Sequence, residues 1–269
     1  MRTYCVVLLM LLTVAVAEEN DPEHPNISSS SGAFTGSQAA AISRMGGDAL
    51  ETKLQGPSFG SNSSDNFARL RDAIKKENPI PGVNEGKPGE QYDVILQPGH
   101  YGRPPGLLGA SGQIVTERAL VAYITGVAAE NLRTSGYKVL VVSADKFSKG
   151  LNTKVFLAVH ADGKLVPCST KGPSLGYPSS SDVFAMHAIG WAVSKALGYS
   201  YADYHHDNFT ANLAHYYMFS QVHADRVSGV LEIGELTCGP KEEQLIKSSD
   251  LIGTNIAEGI KYIVKMPTQ

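Results

Sequence analysis

The chain has 269 residues, 42% hydrophobic and 18% charged, with a formal net charge of −3. That apolar content is enough to bury a substantial core, which argues against a wholly disordered chain. A slightly acidic balance without clustered lysine and arginine argues against nucleic acid or an acidic membrane surface as the main partner, so any polymer would be gripped by shape and hydrogen bonds.

Residues 1–17, MRTYCVVLLMLLTVAVA, combine one positive charge, an apolar run and a small-residue Ala15-Val16-Ala17 end, which is the pattern of a secretory signal peptide. The run falls short of the roughly 20 residues a membrane span needs, although an uncleaved anchor is the alternative reading. No later stretch is long and apolar enough to cross a bilayer, so the mature chain is expected outside the cytoplasm, secreted or periplasmic, without stable membrane insertion. The sequons at Asn26, Asn62 and Asn208 carry meaning only in a eukaryotic secretory pathway.

Residues 18–90 are rich in Ser, Gly, Asn and Pro (SSSSG, GPSFGSNSS, IPGVNEGKPGE) and read as a flexible, low-complexity region. Within it, Phe67, Leu70 and Ile74 share a helical face, which predicts a short docking helix over Asn66 to Lys76. From residue 91 to 269, short apolar runs alternate with helical patterns, predicting one α/β domain with a twisted, mostly parallel sheet flanked by helices. YDVILQ is the first strand, residues 116 to 135 a helix with Thr116 as N-cap and Gly136 as stop, and YKVLVVS the second strand. KVFLAVH and SGVLEIG follow as strands three and four, separated by a helix over 182–197 and a polar stretch rich in Tyr and His. A helix over 250–264 closes the domain.

In an open α/β sheet, ligands bind beyond the carboxyl ends of the strands. His100 follows the first strand in LQPGHYG, His160 closes the third in FLAVHADG, and Glu232 ends the fourth in VLEIGE, while Glu117 opens the helix after the first loop. Two His and one carboxylate are a common ligand set for a catalytic zinc, and a separate carboxylate must then move the proton of the attacking water. Each residue also has an ordinary reading: a His after a strand is commonly structural, and Glu117 suits a helix N-terminus. Glu232 is harder to dismiss, because a carboxylate in an apolar strand costs several kcal/mol, on the order of 2–7, unless it is paired or coordinated.

Taken in order, QPGHYG, TERALVAYI, LAVHADG and LEIGELT resemble the motifs of the zinc-dependent N-acetylmuramoyl-L-alanine amidases known as amidase type 3, and PKEEQLIKSSDLIGTNIAEGIKYI resembles that family's closing helices. The resemblance runs from His100 to Val264. It implies zinc held by His100, Glu117 and His160, Glu232 as catalytic acid/base, and hydrolysis of the amide between N-acetylmuramic acid and L-alanine in peptidoglycan or muropeptides. A zinc carboxypeptidase or peptide amidohydrolase, and a catalytically silent wall-binding protein, are the alternatives.

The chain departs from the family pattern at several places. Gln97 stands where the family has Asp, Asp162 where it has Asn, and Glu235 and Thr237-Cys238 where it has Phe and Ser-Asn. The family's threonine-arginine and following helix are missing between Ser143 and Lys154, and Glu235 becomes a rival base. The segment from His160 to Glu232 is too compact for the plugging helix of some regulated relatives, so a fairly open site is expected.

Cys5 leaves with the signal, and Cys168 and Cys238 each follow a site strand by a few residues, so one disulfide or two free thiols are both open. His205-His206-Asp207 reads as solvated loop, His187, His215 and His223 as structural, and Trp191 as core. Tyr199, Tyr201, Tyr204, Tyr216 and Tyr217 read as packing residues, with sugar stacking as the alternative.

Overall fold

A computed structural model describes residues 50, 52–56, 63–170, 172–200, 203 and 207–266. The signal-like segment, Asn26, Asn62, Tyr201, Tyr204, His205 and His206 lie outside the described residues. Among the described residues no helix is long and apolar enough to cross a membrane.

Five strands form one sheet: β1 (Gln91–Pro98), β2 (Val139–Val141), β3 (Leu151–Asp162), β4 (Ser174–Gly176) and β5 (Val222–Glu235). Their order is β2-β1-β3-β5-β4, with every neighbouring pair parallel except the antiparallel β4–β5 edge. The inner strands are near-continuous apolar runs because both faces of a parallel sheet are covered. In β3, Val155, Leu157, Val159 and Ala161 enter one core, while Phe156 and Ala158 enter another.

The two cores are covered differently. Over the first lie α1 (Ser63–Lys75), α2 (Glu117–Thr134), α3 (Val183–Ala196), α5 (Gly239–Lys247) and α6 (Ser249–Lys265). Leu70 and Ile74 of α1 are fully enclosed there, with Phe67 packed alongside, so the helical face expected from the sequence is seated on the domain. Over the second core, among the described residues, lie Phe147 and the stretch holding the four-residue α4 (Ala211–Ala214) and a 3₁₀ turn (Tyr217–Ser220), which contribute Leu213 and Met218. Leu50 and Leu54 pack with Ala188 and Ala192 of α3, and Trp191 flanks that cluster, half-buried.

Local chemistry sets the element ends. The Thr116 side chain accepts from Ala119 N at 3.3 Å to cap α2, and the helix stops before Gly136, whose φ of +85° suits only a residue without a Cβ. Asp182 caps α3 in the same way. No helix joins β2 to β3, as the short connection predicts. The edge strand β4 and the separate helix α5 go beyond the elements read from periodicity. Three residues are too few to show alternation, and α5 begins at a Gly-Pro pair that reads as a turn until Pro240 is recognised in the first helical turn.

Candidate metal centre

Each proposed ligand is delivered by a different element. β1 ends in Pro98-Gly99, and His100 follows in a left-handed conformation with φ of +57°, uncommon for a residue with a Cβ. Such strain, of order 1–3 kcal/mol, persists where surrounding contacts enforce it. Here Gly99 N donates to Val159 O at 2.8 Å, tying the turn to the end of β3. Gly99 must be glycine, since a Cβ there would lie 2.6 Å from the His160 ring. Glu117 is the first residue of α2, where the helix dipole favours a carboxylate. His160 lies near the end of β3, directly beside Glu232 of β5 in the parallel register.

The side chains converge. His160 Nδ1 is 2.9 Å and His100 Nε2 is 3.5 Å from Glu117 Oε1, and one donor atom from each of the three residues lies within 4.8 Å of the others. Glu117 Oε2 accepts from Ala110 N at 2.8 Å, which turns Oε1 toward both rings. Glu117 sits deepest, and Glu232, half-buried as a residue, has its Oε2 closed off from solvent with no hydrogen-bond partner. Both histidines are partly accessible, at 21% and 14% of their side-chain surface for His100 and His160.

Electrostatics differ sharply within this group. Burial holds the His100 imidazole below its ordinary value, against the pull of Glu117. Burial would also lower His160, but the hydrogen bond and charge of Glu117 outweigh it and the value is raised. Burial would raise Glu117, yet the His160 hydrogen bond and the charges of both rings keep it low. Glu232 has no such donor: burial, with Glu117 and Asp162 adding to it, pushes its carboxyl up to about 8. Two carboxylates of one site, one on a helix and one on a strand, are thus driven in opposite directions, the pattern that separates a charged binding group from a proton carrier.

Behind the rings lies a further layer. His160 Nε2 is 3.1 Å from the Tyr216 hydroxyl, which donates to Gln97 Oε1 at 2.8 Å. Gln97 is fully buried, and its Nε2 donates to the carbonyls of Ser143 and Ala144 and to the Tyr217 hydroxyl. Tyr217 in turn donates to Ala144 O at 2.5 Å. Sequence reasoning places Tyr216 and Tyr217 among packing residues; the signal that points to them is Gln97, a buried amide in an apolar strand that must find partners.

Glu235 is not placed like Glu232. Opposite His160 and Asp162 of β3, strand β5 presents Glu232 and Glu235, one residue more than a regular ladder, and Gly234 takes φ of +148° in this bulge. Glu235 is enclosed, and its oxygens accept from Cys168 N, Thr170 N, Thr170 Oγ1 and Thr237 Oγ1 at 2.5 to 3.1 Å. It holds the 163–170 loop, which a Cys168–Cys238 disulfide also ties to the end of β5. Asp162, whose carboxyl burial raises, pairs with Lys164 at 3.2 Å.

The other described histidines stand apart from the cluster. His187 is buried against Asp207, which also accepts from Tyr177, while His215 and His223 are exposed.

No family model matches this sequence, and no curated protein matches it. Among solved structures, the chain is similar to an N-acetylmuramoyl-L-alanine amidase from Clostridium difficile, at 15% identity and a TM-score of 0.48, over 64% of this chain and 96% of that one. It is also similar to one of Nostoc punctiforme, at 17% identity and a TM-score of 0.48, over 66% and 98% of the two chains. The catalytic domain of one from Bacillus (Paenibacillus) polymyxa var. colistinus matches at 17% identity and a TM-score of 0.49, over 64% and 97%. Likeness at this level carries no weight for the chemistry.

Proposed function

We propose that the chain is an exported, zinc-dependent amidase that cleaves the bond between N-acetylmuramic acid and L-alanine in peptidoglycan, with zinc held by His100, Glu117 and His160 and with Glu232 as acid/base. The observation that carries this reading is the convergence of two ring nitrogens and one carboxylate oxygen from β1, α2 and β3 beside a carboxylate with an unpartnered oxygen. The donor set fits: two His and one carboxylate leave a fourth position open. The spacings of 2.9 and 3.5 Å bracket the roughly 3.4 Å separation that tetrahedral zinc bonds of about 2.0–2.2 Å imply. When bound, zinc supplies Lewis acidity toward water and toward the scissile carbonyl.

The chain's own residues account for the rest of the reaction. Glu117, kept charged by both rings, binds rather than moves protons. Glu232 takes the proton of the attacking water and returns it to the leaving nitrogen, a task suited to a carboxyl whose value is raised toward neutrality. The peptidoglycan substrate rests on the four ordered motifs, and export on the signal-like first residues.

Metal analysis and clearing of purified cell walls, for wild type and Glu232→Gln, test the assignment. The variant is expected to keep its zinc and lose activity by about 10²- to 10⁴-fold, the usual worth of a general acid/base. Full activity in that variant removes Glu232 from the role. Mass spectrometry of the fragments identifies the bond: release of peptides with a free L-alanine amine supports the amidase, cleavage of peptides lacking muramic acid points to a peptidase, and wall binding without product points to a silent binder.

A further inference from the structure

The hydrogen bonds behind His160 run in a consistent direction. Ser143 and Ala144 offer carbonyl oxygens, which accept and never donate, so the end of the Gln97 amide that faces them is its nitrogen. Its oxygen therefore faces Tyr216, and the Tyr216 hydroxyl spends its single proton on that oxygen at 2.8 Å. What Tyr216 has left to offer His160 Nε2, 3.1 Å away, is a lone pair. A nitrogen facing a lone pair is favoured when it carries a hydrogen, and in a neutral imidazole the other nitrogen is then bare. That other nitrogen is Nδ1, 2.9 Å from the Glu117 carboxylate, which can only accept; without a cation a second proton there bridges to Glu117, and a bound cation takes that proton's place.

We infer that Gln97 and Tyr216 form a positioning relay that fixes the tautomer of His160, reserving Nδ1 for a divalent cation. The inference rests on the metal reading above and extends it from the ligands to the residues that aim them. It also accounts for two departures from the family pattern together. Without a helix between β2 and β3, the Ser143 and Ala144 carbonyls face β1, and glutamine, unlike aspartate, has the N–H groups to reach them, alongside the Tyr217 hydroxyl at Ala144. Partners of this kind commonly govern 10- to 100-fold of metal affinity.

Zinc affinity of the full chain, measured by competition with a chelator and accompanied by thermal unfolding, tests the relay. Tyr216→Phe keeps the ring and removes the lone pair; it is expected to weaken zinc about 10- to 100-fold while the melting temperature stays within a few degrees. Gln97→Met, of similar volume, is expected to shift affinity in the same direction by freeing the Tyr216 proton. A third measurement needs no variant: in zinc-loaded protein with ¹⁵N-labelled histidine, His160 is expected to carry its proton on Nε2 and the metal on Nδ1. Wild-type affinity in both variants, or metal on Nε2 of His160, overturns the relay while leaving the zinc site standing. A wild-type chain that binds no zinc overturns the metal reading and the relay together.

Discussion

Three carboxylates in this protein show how neighbours, more than residue type, decide what a side chain does. Glu232 lacks any donor at one oxygen and is raised; Glu117 faces two rings and is lowered; Glu235 accepts from four donors. Burial by itself would raise Glu235, but hydrogen bonds from Thr170, Cys168 and Thr237 outweigh it and hold the carboxyl below its ordinary range. The sign of the consequence follows. A lowered folded value means the unfolded chain binds the proton more tightly, so the stabilisation is fully present above the unfolded value of about 4.3 and fades as pH falls through the folded one. Denaturant unfolding at a series of pH values is expected to show Glu235→Gln less stable than wild type at pH 7, with the gap narrowing below about pH 4. A gap of constant size from neutral to acid would contradict this account. At this scale the convergence of His100, Glu117 and His160 is legible in the sequence because strand-end positions and chemistry coincide. Tyr216 is not, because nothing in its neighbours distinguishes a tyrosine that hydrogen-bonds a ligand from one that fills space.

Elements place these residues through anchors distant in sequence. Glu242 of α5 is buried and accepts from the backbone N–H groups of Gln113, Ile114 and Val115 at 2.8 to 2.9 Å. Those residues lead into Thr116 and Glu117, so one carboxylate on a late helix holds the entry to the helix that carries a proposed ligand. Glu242→Ala takes the partner from three backbone donors, of which the Val115 N–H is buried, and leaving one buried donor unmade costs about 1–3 kcal/mol. The expected result is a loss of about 1–3 kcal/mol in chemical denaturation, with weaker zinc binding. Unchanged stability would mean that water replaces the carboxylate. The contact is invisible in sequence: Glu242 lies in a charged KEE run that suggests a solvated face, and only the fold of β5 into α5 brings it under the 111–115 turn. Strands and long helices, by contrast, are marked by apolar runs and caps, and they match their expected places closely.

For the whole molecule, the unequal covering of the sheet matters most. Five helices lie over one core, whereas the other is closed by the stretch around Leu213 and Met218, which also carries Tyr216 and Tyr217. The thinner side is therefore the side that carries the hydrogen bonds behind His160 of the proposed metal site. The Cys168–Cys238 bridge closes a loop with a sequence separation of 70, and that loop contains β4, α3 and this thin cover. Loop-closure entropy assigns such a link about 4 kcal/mol. Replacing both cysteines by serine is expected to lower unfolding free energy by about 2–4 kcal/mol, read from denaturant midpoints under non-reducing conditions. Equal midpoints for the two forms would show that the bridge adds no stability. Which of the open cysteine readings holds depends on distance in space, and spacing along the chain supplies none.

The strand order has a consequence in time. His100, Glu117 and His160 all belong to the stretch that builds β1, α2, β2 and β3, whereas Glu232 arrives only when β5 is laid between β3 and β4. Chains emerge from the ribosome amino end first, and closing the long connection from β3 to β5 is among the slower steps of assembly. A half-finished chain thus carries every proposed donor for a cation before it carries the carboxylate proposed to move the proton.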